Sequence, residues 1–377
     1  MDASFVTPPA TVSTTVSATP AAETPLPLAY PCGEPPAFGA VREIAPGLLW
    51  LRMPLPFSLD HINLWLLADE DEHGPGWAVV DTGTCTPPVQ QAWSALLAPD
   101  GPLAATPQGA RLTRVIVTHM HPDHVGMAGW LCEHAGCTLA MSRTEYLTCR
   151  VLAADTGRPA PAAALRFYRE AGWDDTALQA YKARFGGFGR LIHALPDSYA
   201  RLVEGQVLAL GARRWEVLIG TGHSPEHVCL WSPADGLLIA GDQILPRISS
   251  NVSVHPTEPL ADPLGDWIGS IERLRARLPA HTLVLPSHGE PFTGVHARLD
   301  RLARGHGLGL QRLRERLAAG PLRAVDVFTA LFARPIQGGE LLGMATGEAV
   351  AHLNHLQHRG EITSAVAADG QRWWRMG

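Results

Sequence analysis

The sequence predicts a layered α/β fold with a site at the ends of its strands, on three observations. Apolar, β-branched runs such as Val115-Ile116-Val117 break repeatedly into polar, often glycine-bearing loops. Segments of helical period lie between those runs, as Val89, Trp93, Leu96 and Leu97 do within 88–98, and such alternation is the pattern of packed helix and sheet layers. Metal-binding residue types collect where the runs end: Thr118-His119-Met120-His121-Pro122-Asp123-His124-Val125-Gly126 sets three imidazoles and a carboxylate within six residues. A strand that breaks into a loop and then a helix lets His119 and His121 face one way and Asp123 and His124 another. One loop can then serve two adjacent metal ions. Imidazole nitrogen and carboxylate oxygen are ligands that zinc takes readily, and a site without thiolates that stays open to solvent suits catalysis better than structure.

Composition bounds the rest. A chain of 377 residues, 46% hydrophobic, is long enough for one large domain and a small second one. A net charge of -6 carries no electrostatic footprint for nucleic acid. Cys32, Cys85, Cys132, Cys137, Cys149 and Cys229 are scattered without a CxxC pair, which predicts reduced thiols in a reducing compartment, the cytoplasm. No uninterrupted apolar run is long enough for a transmembrane helix, so no membrane association is expected. Residues 1–40 are rich in Ala, Pro, Thr and Ser with no Lys or Arg before Arg42, and read as a disordered leader with neither a signal peptide nor a transit helix.

From there the runs 47–53, 61–67 and 77–83 predict three strands, the third ending on Asp81-Thr82-Gly83. A helix over 88–98 and a strand over 114–117 lead to the histidine loop. A helix begins at Gly126, and Thr138-Leu139-Ala140-Met141 is the next strand. Residues 143–197 then form a helical insert with an aromatic face of Tyr168, Tyr181, Phe185 and Phe188 and a basic set including Arg150, Arg166 and Arg169. It is either a lid that reads a charged acyl substrate or a hairpin packed on the sheet with solvated arginines. Three further strands end on ligand types: 213–219 before His223, 237–241 before Asp242, and 282–286 before His288.

The pattern over 119–124 resembles the His-x-His-x-Asp-His signature of the metallo-β-lactamase-fold hydrolases, and the ordered strand-end residues that follow match it as well. That resemblance implies a four-layer αββα sandwich over 41–295. It also implies two zinc ions, with iron or manganese as alternatives: one on His119, His121 and His223, the other on Asp123, His124 and His288, with Asp242 touching both. Asp81 would hold the metal loop from beneath, or be an ordinary turn aspartate. His227 reads as a residue that supports a ligand, or as a structural one.

Over 296–377 the leucines of 298–317 are interrupted by Gly305, Gly307 and Gly309, which predicts a helix broken near its middle. Two further helices and a hairpin turned at Asp369-Gly370 follow. Three helices and a hairpin resemble a winged helix, and a similar domain occurs in the LACTB-two-like branch of the superfamily, which includes endoribonucleases and acyl thioesterases. The candidate recognition helix carries Glu348, His352, His355 and His358 with only Arg359 as a firm cation, a poor surface for phosphate contacts. The module is therefore expected to serve packing or homodimer formation.

A bridging hydroxide between two zincs is nucleophilic at neutral pH, because the metals lower the pKa of bound water to roughly 7. With Asp123 and Asp242 as the catalytic carboxylates, the first expectation is hydrolysis of a small acyl substrate, a thioester or lactone. A thiolate leaves without protonation, which suits motifs that reveal no dedicated general acid. The rivals are phosphodiester cleavage of RNA, a mononuclear iron persulfide dioxygenase and, outside enzymes, a ligand sensor with a winged-helix module.

Overall fold

The computed structural model describes residues 27–57 and 59–377, so the first 26 residues of the leader expected over 1–40 lie outside the described residues. The first sheet runs in order β1 (Val41–Ala45), β2 (Leu48–Pro54), β3 (His61–Asp71), β4 (Gly74–Val80), β5 (Leu112–Ile116), β6 (Thr138–Ser142) and β7 (Ala200–Leu202). Its first four strands pair antiparallel and its last four parallel. The second sheet holds β8 (Val207–Leu210), β9 (Arg213–Gly220), β10 (His227–Ser232), β11 (Leu237–Gly241) and β12 (Leu283–Pro286), in sequence order across the sheet. Only β11 and β12 pair parallel there.

The period of two along a strand distributes side chains between two cores. On β4, Ala78 and Val80 point between the sheets while Trp77 and Val79 point outward, and on β10 Val228 and Leu230 point between while Cys229 and Trp231 point outward. Both faces of both sheets are therefore apolar, and both outer faces need helices. On the first sheet these are α1 (Pro87–Leu96), α3 (Ala128–Ala135), which follows the single turn α2 (Pro122–Val125), and α4 (Arg143–Ala154). The outer core of the second sheet takes residues of α5 (Ala162–Glu170), α7 (Pro263–Arg277), α8 (Val295–Ala318) and α10 (Gly339–His358), and a short helix, α9 (Phe328–Leu331), lies beside it. The result is helix, sheet, sheet, helix: the four layers expected.

Three local expectations need correction. Residues 27–40, placed in the disordered leader, are pinned: Ala29 and Thr293 exchange backbone hydrogen bonds of 3.3 and 2.9 Å, and Leu28 packs on the outer core. Glycine spacing suggested a break in the helix over 298–317, but α8 runs unbroken for 24 residues. Leu299, Leu302, Leu310, Leu313 and Leu317 bury one continuous stripe against that core, and tertiary packing outweighs the roughly 1 kcal/mol that each glycine costs a helix. The insert, finally, is neither a lone lid nor a hairpin on the sheet. Its first helix, α4, buries Tyr146 and Cys149 against the first sheet, whereas α5 and α6 (Asp175–Arg184) turn to the C-terminal elements. There Trp173 Nε1 donates to Thr346 Oγ1 at 2.9 Å and Glu170 pairs with Arg372 at 2.7 Å.

The hairpin of β13 (Ile362–Val366) and β14 (Arg372–Met376) closes the chain on α8, with Leu322 and Trp374 exchanging backbone hydrogen bonds of 2.9 Å. Among the described residues, no helix is long and apolar enough to cross a membrane.

A Cβ added at Gly307 meets no atom within 4 Å. Gly307→Ala is therefore expected to raise stability by about 0.4–1 kcal/mol, through lower entropy of the unfolded chain. Denaturant unfolding checks this, and a destabilised variant would mean that α8 does bend there.

Candidate metal centre

The ends of β4, β5, β9, β11 and β12 meet at one edge of the sandwich, and each sends a loop into the same volume. Asp81, just past β4, is buried and takes a left-handed backbone, φ 61°, rare for a residue other than glycine. In that pose Oδ1 accepts from the Thr118 amide and Oδ2 from the Thr118 hydroxyl, each at 2.8 Å, while Oδ2 also takes His124 Nδ1–H at 2.8 Å. The Thr82 hydroxyl adds a bond of 2.7 Å to the His124 carbonyl. The first histidine loop is thus held from below by one carboxylate, the role implied for Asp81.

This network also sets the tautomers. The Thr118 hydroxyl gives its proton to Asp81, so it accepts from His119 Nδ1 at 3.1 Å. His223 Nδ1 donates to the Asn251 carbonyl at 2.7 Å and His288 Nδ1 to the His61 carbonyl at 2.8 Å. His119, His124, His223 and His288 accordingly all turn Nε2 to the centre. His121 presents Nδ1, 2.9 Å from His119 Nε2.

Two groups result: His119, His121, His223 and Asp242, and beside them Asp123, His124 and His288, with the candidate ligand atoms of each group within 4.8 Å of one another. Asp242 faces both. Its Oδ2 lies 3.4 Å from His223 Nε2, and its Oδ1 lies 3.5 Å from His124 Nε2 and 3.4 Å from His288 Nε2. Asp123 Oδ2 stands 3.3 Å from His288 Nε2 and 3.6 Å from His124 Nε2.

The donor set fits divalent cations on two tests. Ligand atoms bound at about 2.0–2.1 Å around a tetrahedral ion stand roughly 3.3–3.4 Å apart, close to the spacings just given. Buried polar atoms also lack partners within the chain: His124 Nε2 and Asp242 Oδ1 have none among the described residues, a costly state unless a cation satisfies them. Electrostatics differ between the two groups. Burial and the neighbouring imidazoles hold His119 well below the usual histidine range and His121 down to about 3, so both are neutral donors. Burial also lowers His124 and His288, but the carboxylates around them, Asp123 and Asp242, outweigh it and hold both imidazoles above the usual range.

Residues that the sequence did not single out hold the loops. Glu145 on α4 accepts from the Met120 amide at 2.9 Å and the Glu226 amide at 2.7 Å, tying the first histidine loop to the His223 loop. Its only trace in the sequence is a carboxylate beside Tyr146 and Cys149 on a buried helix face. Asn63 on β3 donates to the Pro286 and Gly289 carbonyls at 2.9 and 2.6 Å, clamping the loop that carries His288 to the first sheet. His227 supports a ligand: its Nε2 accepts from the Asp242 amide at 3.0 Å, and its ring stacks on His119 with centroids 4.7 Å apart. A Cβ at Gly241 would sit 2.4 Å from His227 Cε1, so this approach requires glycine. Of the insert residues, Tyr168 stacks on Trp173 at 4.2 Å, Arg150 bonds the Tyr146 hydroxyl and pairs with Asp197, and Arg169 pairs with Asp175. These side chains are engaged in packing and ion pairs, away from the candidate ligands.

Comparison with known proteins bears on the same elements. Residues 59–288, more than half of the chain, match the model of the metallo-beta-lactamase superfamily, and residues 310–376 match that of the metallo-beta-lactamase-like C-terminal domain. The chain belongs to the metallo-beta-lactamase superfamily. Within it, the crystal structure of a beta-lactamase domain protein from Burkholderia ambifaria is 40% identical, covering 93% of this chain and 98% of that one at a TM-score of 0.84. The metallo-beta-lactamase family protein TTHA1429 from Thermus thermophilus is 25% identical, covering 89% and 100% at a TM-score of 0.71. In Bacillus subtilis (strain 168) the "Probable metallo-hydrolase YqjP" is 24% identical over 329 residues, 83% of this chain and 93% of that protein.

Elemental analysis of the purified protein is expected to find two metal ions per chain, and His288→Ala one. Asp81→Ala is expected to weaken metal binding about 10- to 100-fold, as loss of a hydrogen-bonding partner to a ligand does. Zinc titration against a chelator of known affinity measures it, and wild-type affinity in Asp81→Ala would remove Asp81 from the centre's support.

Proposed function

We propose that this metallo-hydrolase of the metallo-beta-lactamase superfamily cleaves a carbonyl ester bond, a thioester or lactone, at a centre of two zinc ions. The observation that carries the reading is Asp242, whose two oxygens face the two ligand groups separately. Zinc ions held there would supply Lewis acidity toward a carbonyl oxygen and an acidified water.

The chain's own part is positional and protonic. Asp242 is held ionised: burial pushes its carboxyl up, but His288 and His124 overcome that and keep it well below the usual range. Asp123 experiences the same opposition, burial against His124 and His288, and settles at about 2. Asp123 is less buried than His124 and His288, so an incoming water can reach its carboxylate. No further acid stands among the candidate ligands, which favours a leaving group that needs no proton, and a thiolate is one. The name of the Bacillus subtilis relative supports hydrolysis in general and no particular substrate.

The sensor reading gains no support from α10, the helix that would enter a DNA groove. Its His352 and Asn354 are buried, Glu348 bonds the Asn251 side chain, and His355 contacts Asp262. Those groups are committed to the interior.

Thioesters, lactones and RNA offered to the zinc-loaded protein should show turnover of the first two. Asp242→Asn should lower kcat roughly 10²-fold, the scale of losing one preorganised electrostatic group, with little change in KM. Cleavage of RNA alone, or an unchanged kcat in Asp242→Asn with both metals bound, would overturn this assignment.

A further inference from the structure

A cavity of about 260 Å³ opens between α8, α10 and the loop 245–251, and its lining is unusually cationic. Arg247, Arg298, Arg301 and Arg312 border it, with Glu348 the one carboxylate in the lining. Arg247 is paired with Glu290 at 2.9 Å, but Arg298, Arg301 and Arg312 have no carboxylate within 4.0 Å among the described residues. Arg298 is the telling member. It is 3% exposed, and its guanidinium meets only the Leu245 and Ile248 carbonyls. A buried cation without a counter-ion is costly, and burial drags this guanidinium down to about 10. Glu348 does not offset it, since burial pushes that carboxyl up to about 7. The buried His306 adds a ring nitrogen, Nε2, with no partner among the described residues.

The same loop separates this cavity from the metal centre. Arg247 and Ser249 line the cavity, and Ile248 between them is exposed. The next residue, Ser250, bonds the Asp242 carbonyl. Asn251 touches both sides, its carbonyl accepting from His223 and its amide donating to Glu348 at 2.9 Å. A ligand seated among the arginines is thus one loop away from the candidate ligands.

We propose that this cavity is a subsite for a phosphate group carried by the substrate, held by Arg298, Arg301 and Arg312 while the ester carbonyl reaches across loop 245–251 to the metal centre. The inference rests on the hydrolase reading above and narrows its substrate to an acyl ester or thioester whose leaving part bears phosphate. Planar guanidinium groups bind phosphate oxygens in pairs, and the volume, slightly below that of an ordinary ligand pocket of about 300–1,000 Å³, suits a phosphoryl group. Binding energy from this remote group would orient the reacting bond.

Arg301 and Arg312 are exposed and lie outside the apolar core, although Arg312 Nε donates to the Ala330 carbonyl at 2.6 Å, so replacing them leaves that core intact. Calorimetric titration of inorganic phosphate into the full, metal-loaded chain compares wild type, the double variant Arg301→Gln/Arg312→Gln, and His121→Ala. Wild type and His121→Ala should bind with equal Kd, and the double variant at least tenfold more weakly. In the second arm, kcat/KM is measured for a thioester of a phosphate-bearing thiol and for the same acyl group on a phosphate-free thiol. Their ratio should fall at least tenfold in the double variant. Undiminished phosphate binding in the double variant would overturn the site, and loss of binding in His121→Ala instead would place the anion at the metal centre. An unchanged ratio would overturn the substrate assignment. If wild type cleaves neither of these thioesters, the substrate assignment made here fails, while turnover of lactones still tests the reaction class and the titration still decides the anion site.

Discussion

The centre depends on one carboxylate in a costly backbone pose. Asp81 accepts the Thr118 amide, the Thr118 hydroxyl and His124 Nδ1–H, and it does so from a left-handed φ of 61°. Such a conformation costs of order 1–3 kcal/mol outside glycine, whereas a hydrogen bond to a charged group contributes about 1.5–3 kcal/mol. Three such bonds outweigh the strain. Through them the end of β4 sets the start of the histidine loop, the tautomer of His124 and, by way of Thr118, that of His119. Glycine would relieve the strain but would leave those three donors without an acceptor.

The remaining ligands arrive from the other sheet, so the centre is also a joint between the two layers. His119, His121, Asp123 and His124 follow β5, while His223, Asp242 and His288 follow β9, β11 and β12. Glu145 binds loops from both sheets, and Asn63 ties the end of β12 to β3. The parallel pairs β4–β5 and β11–β12 set the Asp81 turn beside the first histidine loop and the Asp242 loop beside the His288 loop, since parallel neighbours end on the same side. Crowding imidazoles together in a buried volume keeps His119 and His121 neutral, and interleaving carboxylates keeps His124 and His288 above their usual range.

The C-terminal elements are more than an appendage. Their helices α8 and α10 cover the outer face of the second sheet, and the insert helices α5 and α6 dock on them rather than on the first sheet. Loop 245–251, which follows Asp242, lies against that module. Arg298 on α8 holds the Leu245 and Ile248 carbonyls, and Glu348 on α10 bonds Asn251, whose carbonyl sets the tautomer of His223. Movement of the module would reach two candidate ligands through a single loop.

The local grammar of this protein was legible in its residues. Continuous apolar runs located most of the strands, and ligand types at their ends marked the residues the structure gathers into two groups, because an apolar run and its end are local properties of the chain. Resemblance to a known signature then suggested which residue belongs to which metal. Tertiary structure decided what depends on distant partners. Whether His227 supports a ligand or is simply structural turns on Gly241, which allows its ring to approach and accept from the Asp242 amide. Whether α8 breaks at its glycines turns on the leucine stripe it buries. The roles of Glu145, Asn63 and Asn251 arise only when residues far apart in the chain exchange hydrogen bonds. The arginines of α8 are solvated charges when read along the helix, and they become a cationic cavity only because α10 and loop 245–251 close around them without bringing matching carboxylates.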